Sequence, residues 1–245
     1  MMLSFNSNPT LLLANLQDVP ELAAITTRAF EASDSIFPMI WGNTAPGSHD
    51  AAAMMLLNPI QTPVNITWKA EVDDKVVGYA RWCLPTNSKG KGLEIDKNIL
   101  AESMEGISGN EMNNGSATGQ FKQKVEGGWK TPHGMNFDLF LRKVKGTIEC
   151  REQDYDAEVD IMLDLCFVDP AYHKRGIGNL LLEWGLAKAD KEGRRICLVS
   201  TPQARNFYER AGWLERENLG LDLEAHGGKG RYERCWMIRE TRPWN

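Results

Sequence analysis

The chain has 245 residues, of which 42% are hydrophobic and 25% charged, and its formal net charge is −5. This is ample apolar material for a conventional core, in one large domain or two small ones. The negative balance excludes a general nucleic-acid binder, which needs a basic face to displace counterions from phosphates, and no run of apolar residues is long enough to span a membrane.

The five cysteines, Cys83, Cys150, Cys166, Cys197 and Cys235, are scattered, and three fall inside apolar runs. That is the usage of buried thiols in a reducing compartment, cytoplasmic or nuclear, and not of a disulfide framework. No cysteine pair has zinc spacing, and His49, His133, His173 and His226 lie far apart, so no metal is expected. At the start of the chain, the apolar run Leu11–Ala14 has no basic lead and no small-residue cleavage site behind it. It reads as a strand and not as a signal peptide.

In chain order, Thr10–Asn15 is the first expected strand. A helix follows from Asp18, with Asp18 as cap, Pro20 in the first turn, and Leu22, Ile25, Ala29 and Phe30 on one face. A second helical segment, Ser48–Leu57, is stopped by Asn58-Pro59. Asn65–Val72 and Val76–Leu84 make a hairpin across Asp73-Asp74-Lys75. Pro85–Gly134 is rich in Gly, Asn, Ser, Lys and Glu and reads as an insert, either a solvated decoration or a substrate-gating lid. Within it, Met112–Gly119 is the segment expected to be least ordered. Phe137–Ile148 then reads as an amphipathic helix through Phe137, Leu141, Val144 and Ile148.

Asp160–Val168 alternates, with Ile161, Leu163, Leu165 and Phe167 on one face and Asp160, Met162, Asp164 and Cys166 on the other, which predicts a strand. The glycine-punctuated turn His173-Lys174-Arg175-Gly176-Ile177-Gly178 opens a helix whose face is Ile177, Leu180, Leu181, Trp184 and Ala187, with Gly193 as terminator. Ile196–Val199 has the continuous apolar character of a buried parallel strand, so strand, helix and strand form a right-handed crossover. Thr201 and Pro202 start a short helix carrying Ala204, Phe207, Tyr208 and Ala211, ended by Gly212. Trp213–Glu217 and Tyr232–Glu240 pair across the Gly-rich connection His226–Gly230.

A helix that begins just after closely spaced glycines points unpaired N–H groups and the positive end of its dipole outward, which suits phosphate. Gly227-Gly228-Lys229-Gly230 lacks the spacing and the Ser or Thr of a P-loop, and Leu181 stands where a dinucleotide fingerprint needs its third glycine. No serine sits in a nucleophile elbow.

The order Val168-Asp169-Pro170, His173-x-x-Gly176-x-Gly178, helix, strand, then Phe207-Tyr208-Glu209-Arg210-Ala211-Gly212-Trp213 resembles the GNAT superfamily of acetyl-CoA-dependent N-acetyltransferases. The first position of that signature is Gln or Arg in the family and His173 here. The resemblance implies an α/β fold with a central, mixed, mostly antiparallel sheet of six to seven strands, a splayed parallel pair and flanking helices. The whole chain, 1–245, is then one such domain with a family-specific insert at about 85–150.

The resemblance further implies acetyl-CoA as cosubstrate. Its pantetheine arm would lie along Cys166, Phe167 and Val168, and its pyrophosphate on amides of the turn His173, Lys174, Arg175, Gly176, Ile177, Gly178 and Asn179. Lys174, Arg175 and Lys188 either add charge to the phosphates or are simply solvated. Thr201 stands where the family commonly has an Asn on the coenzyme's amide arm. Tyr208 occupies the position of the family's general acid, which protonates the departing thiolate, although a tyrosine on an inward helix face is also commonly buried for its ring alone. For the base, Asp164 and, second to it, Asp160 project from the polar strand face. The alternatives are ion-paired carboxylates with the amine's proton draining to water. The acceptor is an amine, a small molecule rather than a protein, and the protein a monomer or homodimer. An inactive coenzyme-binding module and a donor longer than acetyl are the competing readings.

Overall fold

The structure, a computed structural model, describes residues 8–42, 47–49, 51–52, 64–86 and 134–241. Strand β1 (Thr10–Leu13) leads through a single 3-10 turn into helix α1 (Val19–Ser33), followed by the short α2 (Phe37–Trp41). Asp18 does not cap α1 with its side chain. Its carboxylate instead accepts the Asn15 N–H at 2.8 Å and the Lys69 ammonium at 2.8 Å. Of the expected Ser48–Leu57 helix, residues 48–49 and 51–52 are helical, and 50 and 53–57 lie outside the described residues.

The hairpin forms as expected from β2 (Asn65–Val72) and β3 (Lys75–Cys83). Its turn residues Asp73 and Asp74 have φ of 50° and 59°, the left-handed pair that matches the twist of two-residue hairpins. The insert's polar part, including Met112–Gly119, lies outside the described residues. Its last portion is helix α3 (Phe137–Asp154), capped by Asn136 accepting from Leu139 N–H at 3.1 Å. There follow β4 (Ile161–Val168), α4 (Ile177–Glu192), β5 (Ile196–Ser200), α5 (Arg205–Arg210), β6 (Leu214–Asp222) and β7 (Arg231–Arg239).

The strands form one seven-stranded sheet in the order β1-β2-β3-β4-β5-β7-β6, and every pairing is antiparallel except β4 with β5. One face is covered by α4 and α5, in a core holding Trp82, Leu163, Leu181, Leu182, Leu198 and Trp213. The other is covered by α1 over β3 and β4, by α2, and by α3 over the β5, β7 and β6 end. These are called the α4 face and the α1 face below.

Three sequence expectations are corrected here. The alternation of β4 does not persist: Leu163 pairs with Trp82 and Leu165 with Arg81, so Asp164 is the extra residue of a β-bulge. In consequence Ile161 and Leu163 face α4, whereas Leu165 and Phe167 face α1, and Cys166 and Val168 turn to the α4 side. The buried face of α4 is Ile177, Leu181, Leu182, Gly185 and Ala189, with Ala187 exposed. Gly185 sets that rotation, since a Cβ there would stand 2.4 Å from the Trp82 ring. In α3, Leu139 and Cys150 are buried while Leu141 is exposed, so the apolar stripe read from the sequence is not the inward one.

Smaller differences follow from local turns. Residues 202–204 form a turn and α5 starts at Arg205, with Thr201 contributing its carbonyl to the Ala204 and Arg205 N–H groups at 3.1 and 3.2 Å. Gly193 ends α4 with φ of 62° as expected. All five cysteines are free. Trp41 and Trp82 fill the cores, the Trp68 ring lies tilted against Trp184 with centres 5.6 Å apart, and Trp129 lies outside the described residues.

Candidate functional site

Strand β4 leaves β5 almost at once. Only Ile161 with Ile196 and Met162 with Cys197 are in register, so from Leu163 to Val168 the edge of β4 that faces β5 has no strand beside it. Sheet strands normally fill such an edge, because every other residue offers it an N–H and a C=O. A notch one strand wide therefore opens towards the C-terminal ends of both strands.

The turn at the top of the notch is held from below. Asp169 is buried; its carboxylate accepts the Ala171 N–H at 2.9 Å and two donors of Arg28 on α1, Nε at 3.0 Å and Nη2 at 2.8 Å. A single 3-10 turn, Pro170–Tyr172, follows. The His173 ring then folds back so that Nε2 donates to the Val168 carbonyl at 2.9 Å. Lys174 and Gly176 have φ of 59° and 82°, two left-handed residues that swing the backbone into the start of α4.

No side chain caps α4, and its first internal bond runs from Leu180 N–H to Gly176 O at 3.1 Å. The N–H groups of Ile177, Gly178 and Asn179 therefore have no acceptor within the helix. Together with the positive end of a 16-residue helix, they form a ready anion seat. A Cβ added at Gly176 would meet nothing within 4 Å, so open space adjoins the seat. Gly178 has a second reason to lack a side chain: a Cβ there would lie 3.1 Å from the Phe207 ring of α5. Beside the seat, the Arg175 guanidinium and the Lys75 ammonium lie 5.3 and 5.6 Å from the centre of the Tyr172 ring. Lys188 is not part of this group: it lies well down α4 and pairs with Glu192 at 2.6 Å.

Tyr208 is 7% exposed and packs edge-on against Trp213 with ring centres 5.7 Å apart. Its hydroxyl lies near the Cys166 thiol, on the unpaired part of β4. Burial, reinforced by Cys166, pushes the phenol well above its ordinary value. Burial likewise pushes the thiol up to about 12, against a smaller opposing effect of Tyr208. Both groups hold their protons at neutral pH, and the phenol is a donor at the edge of the notch. Thr201 follows the last residue of β5, and its carbonyl also accepts from Ser200 Oγ at 2.9 Å.

On the α1 face of the notch the material is charged side chains. Asp164, in the bulge, accepts from Arg81 Nε at 2.9 Å, from Arg81 Nη2, and from Arg151 Nη2 of α3 at 2.8 Å. Burial alone would raise its carboxyl, but the two guanidiniums outweigh that and hold it at about 2. A carboxylate so paired has little appetite for a further proton at neutral pH. Asp160 stands at the opposite end of β4, buried, and is occupied by Arg195 at 3.0 and 2.6 Å. Nearer the open end, the buried Asp34 accepts from Lys143 Nζ and from the Tyr232 hydroxyl, both at 3.0 Å.

The structure thus gathers Cys166, Phe167, Val168, the 173–179 turn, Thr201 and Tyr208 around one notch, while Asp164 lies on its α1 side inside an ion-pair cluster. Sequence reading gave no role to Arg28, Asp34, Arg81, Lys143, Arg151, Asp169 or Arg234. One signal was available: Lys143, Thr147 and Arg151 recur at helical spacing within α3, the mark of a polar stripe on one helix face.

Comparison with known proteins agrees with this architecture. The sequence model of a family described as an acetyltransferase (GNAT) domain matches residues 138–215. No curated protein matches the sequence. Among solved structures, a PaiA N-acetyltransferase from Thermoplasma acidophilum in complex with coenzyme A superposes with a TM-score of 0.52 at 11% identity, covering 96% of this chain and 99% of that one. A histone acetyltransferase HPA2 and related acetyltransferase from Corynebacterium glutamicum gives 0.51 at 17% identity, covering 98% and 100%. A GCN5-related N-acetyltransferase from Rhodopseudomonas palustris gives 0.50 at 12% identity, covering 98% and 99%. At such identities the likeness is one of fold. The resemblance read from the sequence holds for the fold: the chain has the GNAT fold, and its residues 138–215 match the model of the acetyltransferase (GNAT) domain.

Proposed function

We propose that this protein transfers an acetyl group from acetyl-CoA to a primary amine by direct attack within a ternary complex. The observation that carries this reading is the notch itself, a strand edge left open beside β5 and ending at three unspent helix N–H groups. An extended amide arm bonds to such an edge as another strand would, and a diphosphate bonds to such a helix end. Both parts occur in coenzyme A in that order.

In this reading the N–H groups of Ile177, Gly178 and Asn179 hold the pyrophosphate, aided by Arg175 and Lys174. His173 braces the turn through Val168 and touches the coenzyme only through its backbone. Cys166, Phe167 and Val168 align the pantetheine arm, with Thr201 on the opposite wall. Fixing the thioester against the incoming amine converts a bimolecular step into a local one. The amine nitrogen bonds to the carbonyl carbon, the C–S bond breaks, and the Tyr208 hydroxyl delivers its proton to the departing sulfur. Asp164 is assigned a structural task instead of the base, and the amine's proton passes to water.

The reading is tested by calorimetry with CoA and by thiol release with an amine panel. CoA is expected to bind, and Tyr208→Phe to retain that binding while lowering kcat about a hundredfold. Absence of CoA binding by a folded protein overturns the reading. CoA binding without turnover of any amine leaves a coenzyme-binding module, and preference for longer thioesters changes the donor.

A further inference from the structure

Among the described residues, Arg234 is a buried cation to which no carboxylate bonds. It is 7% exposed, its Nη1 donates to Thr147 Oγ1 at 3.0 Å and its Nη2 to the Lys143 carbonyl. Its Nε has no partner, and among the described residues no acidic side chain bonds to it. An unpaired guanidinium in the interior is strongly unfavourable unless something answers its charge.

Its neighbour does not answer it. Lys143 lies 3.0 Å from Asp34, with its ammonium over the Phe30 and Tyr232 rings at 5.0 and 5.3 Å from their centres. Two cations share one carboxylate. Further along the inward stripe of α3, Arg151 and Arg81 share Asp164, and Arg151 Nε is likewise buried and unpartnered. Among the described residues, then, Lys143, Arg151 and Arg234 face the carboxylates Asp34 and Asp164, the second of which also serves Arg81. Burial lowers the proton affinity of both Lys143 and Arg234; Asp34 opposes this for both, and the Arg234 charge lowers Lys143 further.

The register fixes where this excess sits. Arg234 adjoins Cys235, which pairs with Ser200 at the end of β5, a level at which β4 has already departed. Cys235 faces the α4 core, and Tyr232 and Trp236 face the α1 side, so Arg234 faces the α1 side too. The same stripe of α3 reaches β4, on the other side of the gap, through Arg151 and Asp164.

The geometry points to an acceptor site that reads an anion: the amine substrate also bears a carboxylate or phosphate, seated by Arg234 with Lys143 on the α1 side of the notch. This rests on the acetyl-transfer reading above. The arginine fork suits a flat anion, and the bound anion would supply the counter-charge that no described residue gives Arg234 by a direct bond.

The test uses the full chain in a thiol-release assay with matched pairs: α-amino acids beside their amides, and 2-aminoethyl phosphate beside ethanolamine. In at least one class the anionic member is expected to exceed its neutral partner in kcat/KM by about tenfold or more. Arg234→Met should bring that ratio near one and leave the KM for acetyl-CoA and the circular dichroism unchanged. Arg234→Lys, which keeps the charge without the fork, should give an intermediate ratio and serves if the Met variant does not fold. Neutral amines used as well as anionic ones, or a ratio unmoved by either variant, overturns the inference. Should no amine turn over, thermal melting decides: the anionic members, and not the neutral ones, raise Tm in the wild type, and the rise is lost in Arg234→Met. No rise with any anionic member overturns it. Failure of CoA to bind strikes the acetyl-transfer reading instead, so the two failures are distinguishable.

Discussion

On the α4 side of the notch the site is made of backbone: the unpaired edge of β4, the left-handed Lys174 and Gly176, and the first N–H groups of α4. On the α1 side it is made of buried charge, with Asp164 between Arg81 and Arg151 and Asp34 beside Lys143 and Arg234. Backbone donors do not depend on which side chain occupies a position, provided the turn can form. A cluster of buried charges depends on every member, because removing one leaves the others without compensation. The first construction tolerates His173 in place of Gln or Arg; the second ties its helix, α3, to this one sheet.

Four substitutions or conditions bear on that contrast. Asp164→Ala should be the most damaging, destabilising the fold by about 3–5 kcal/mol in urea melts as two buried guanidiniums lose their shared partner. CoA affinity of the molecules that remain folded should not change, and a loss under about 1 kcal/mol would break the contrast. Gly178→Val should cost about 1–3 kcal/mol by crowding the Phe207 ring and, unlike Asp164→Ala, also weaken CoA binding measured by calorimetry. Acid should expose the charged side. The Asp164 carboxyl is held at about 2 against an ordinary 3.8, so its contribution, about 2 kcal/mol, is present above pH about 4 and lost as pH falls towards 2. In Asp164→Asn that part of the acid dependence should vanish. The smallest effect is expected from His173→Ala, which removes one side-chain brace but no cradle N–H. Its CoA affinity should fall by less than about tenfold, and a larger fall would assign His173 a direct contact.

Which parts could be read in advance follows the same division. The Asp73-Asp74 hairpin, the glycine turn before α4 and the Gly193 stop are local events, each specified by the conformations that neighbouring residues can adopt. The bulge at Asp164 is not local. It arises from the register of β4 on β3, and it reversed the facing of Leu165 and Phe167 that strict alternation predicts. The rotation of α4 was likewise decided from outside the helix, by the Trp82 ring against Gly185. In α3 the inward stripe is polar because its partners, Asp34, Asp164 and Arg234, come from three other elements. Asp34 and Tyr232, which meet at 3.0 Å, are separated by 198 positions in the chain. No window on the sequence contains both, so the backbone side was legible as a motif and the charged side was not.

Only two registered pairs join β4 to β5, and the amides beyond them have consequences when no cosubstrate is present. Without a neighbouring strand, those N–H groups of Leu163–Val168 that point towards β5 should exchange with deuterium far faster than the amides β4 turns towards β3. Any extended chain of suitable shape, including a segment of another polypeptide, could add there by strand augmentation. A small molecule that lies along this gap therefore also shields a sticky edge, and the cosubstrate level would govern how readily the protein self-associates.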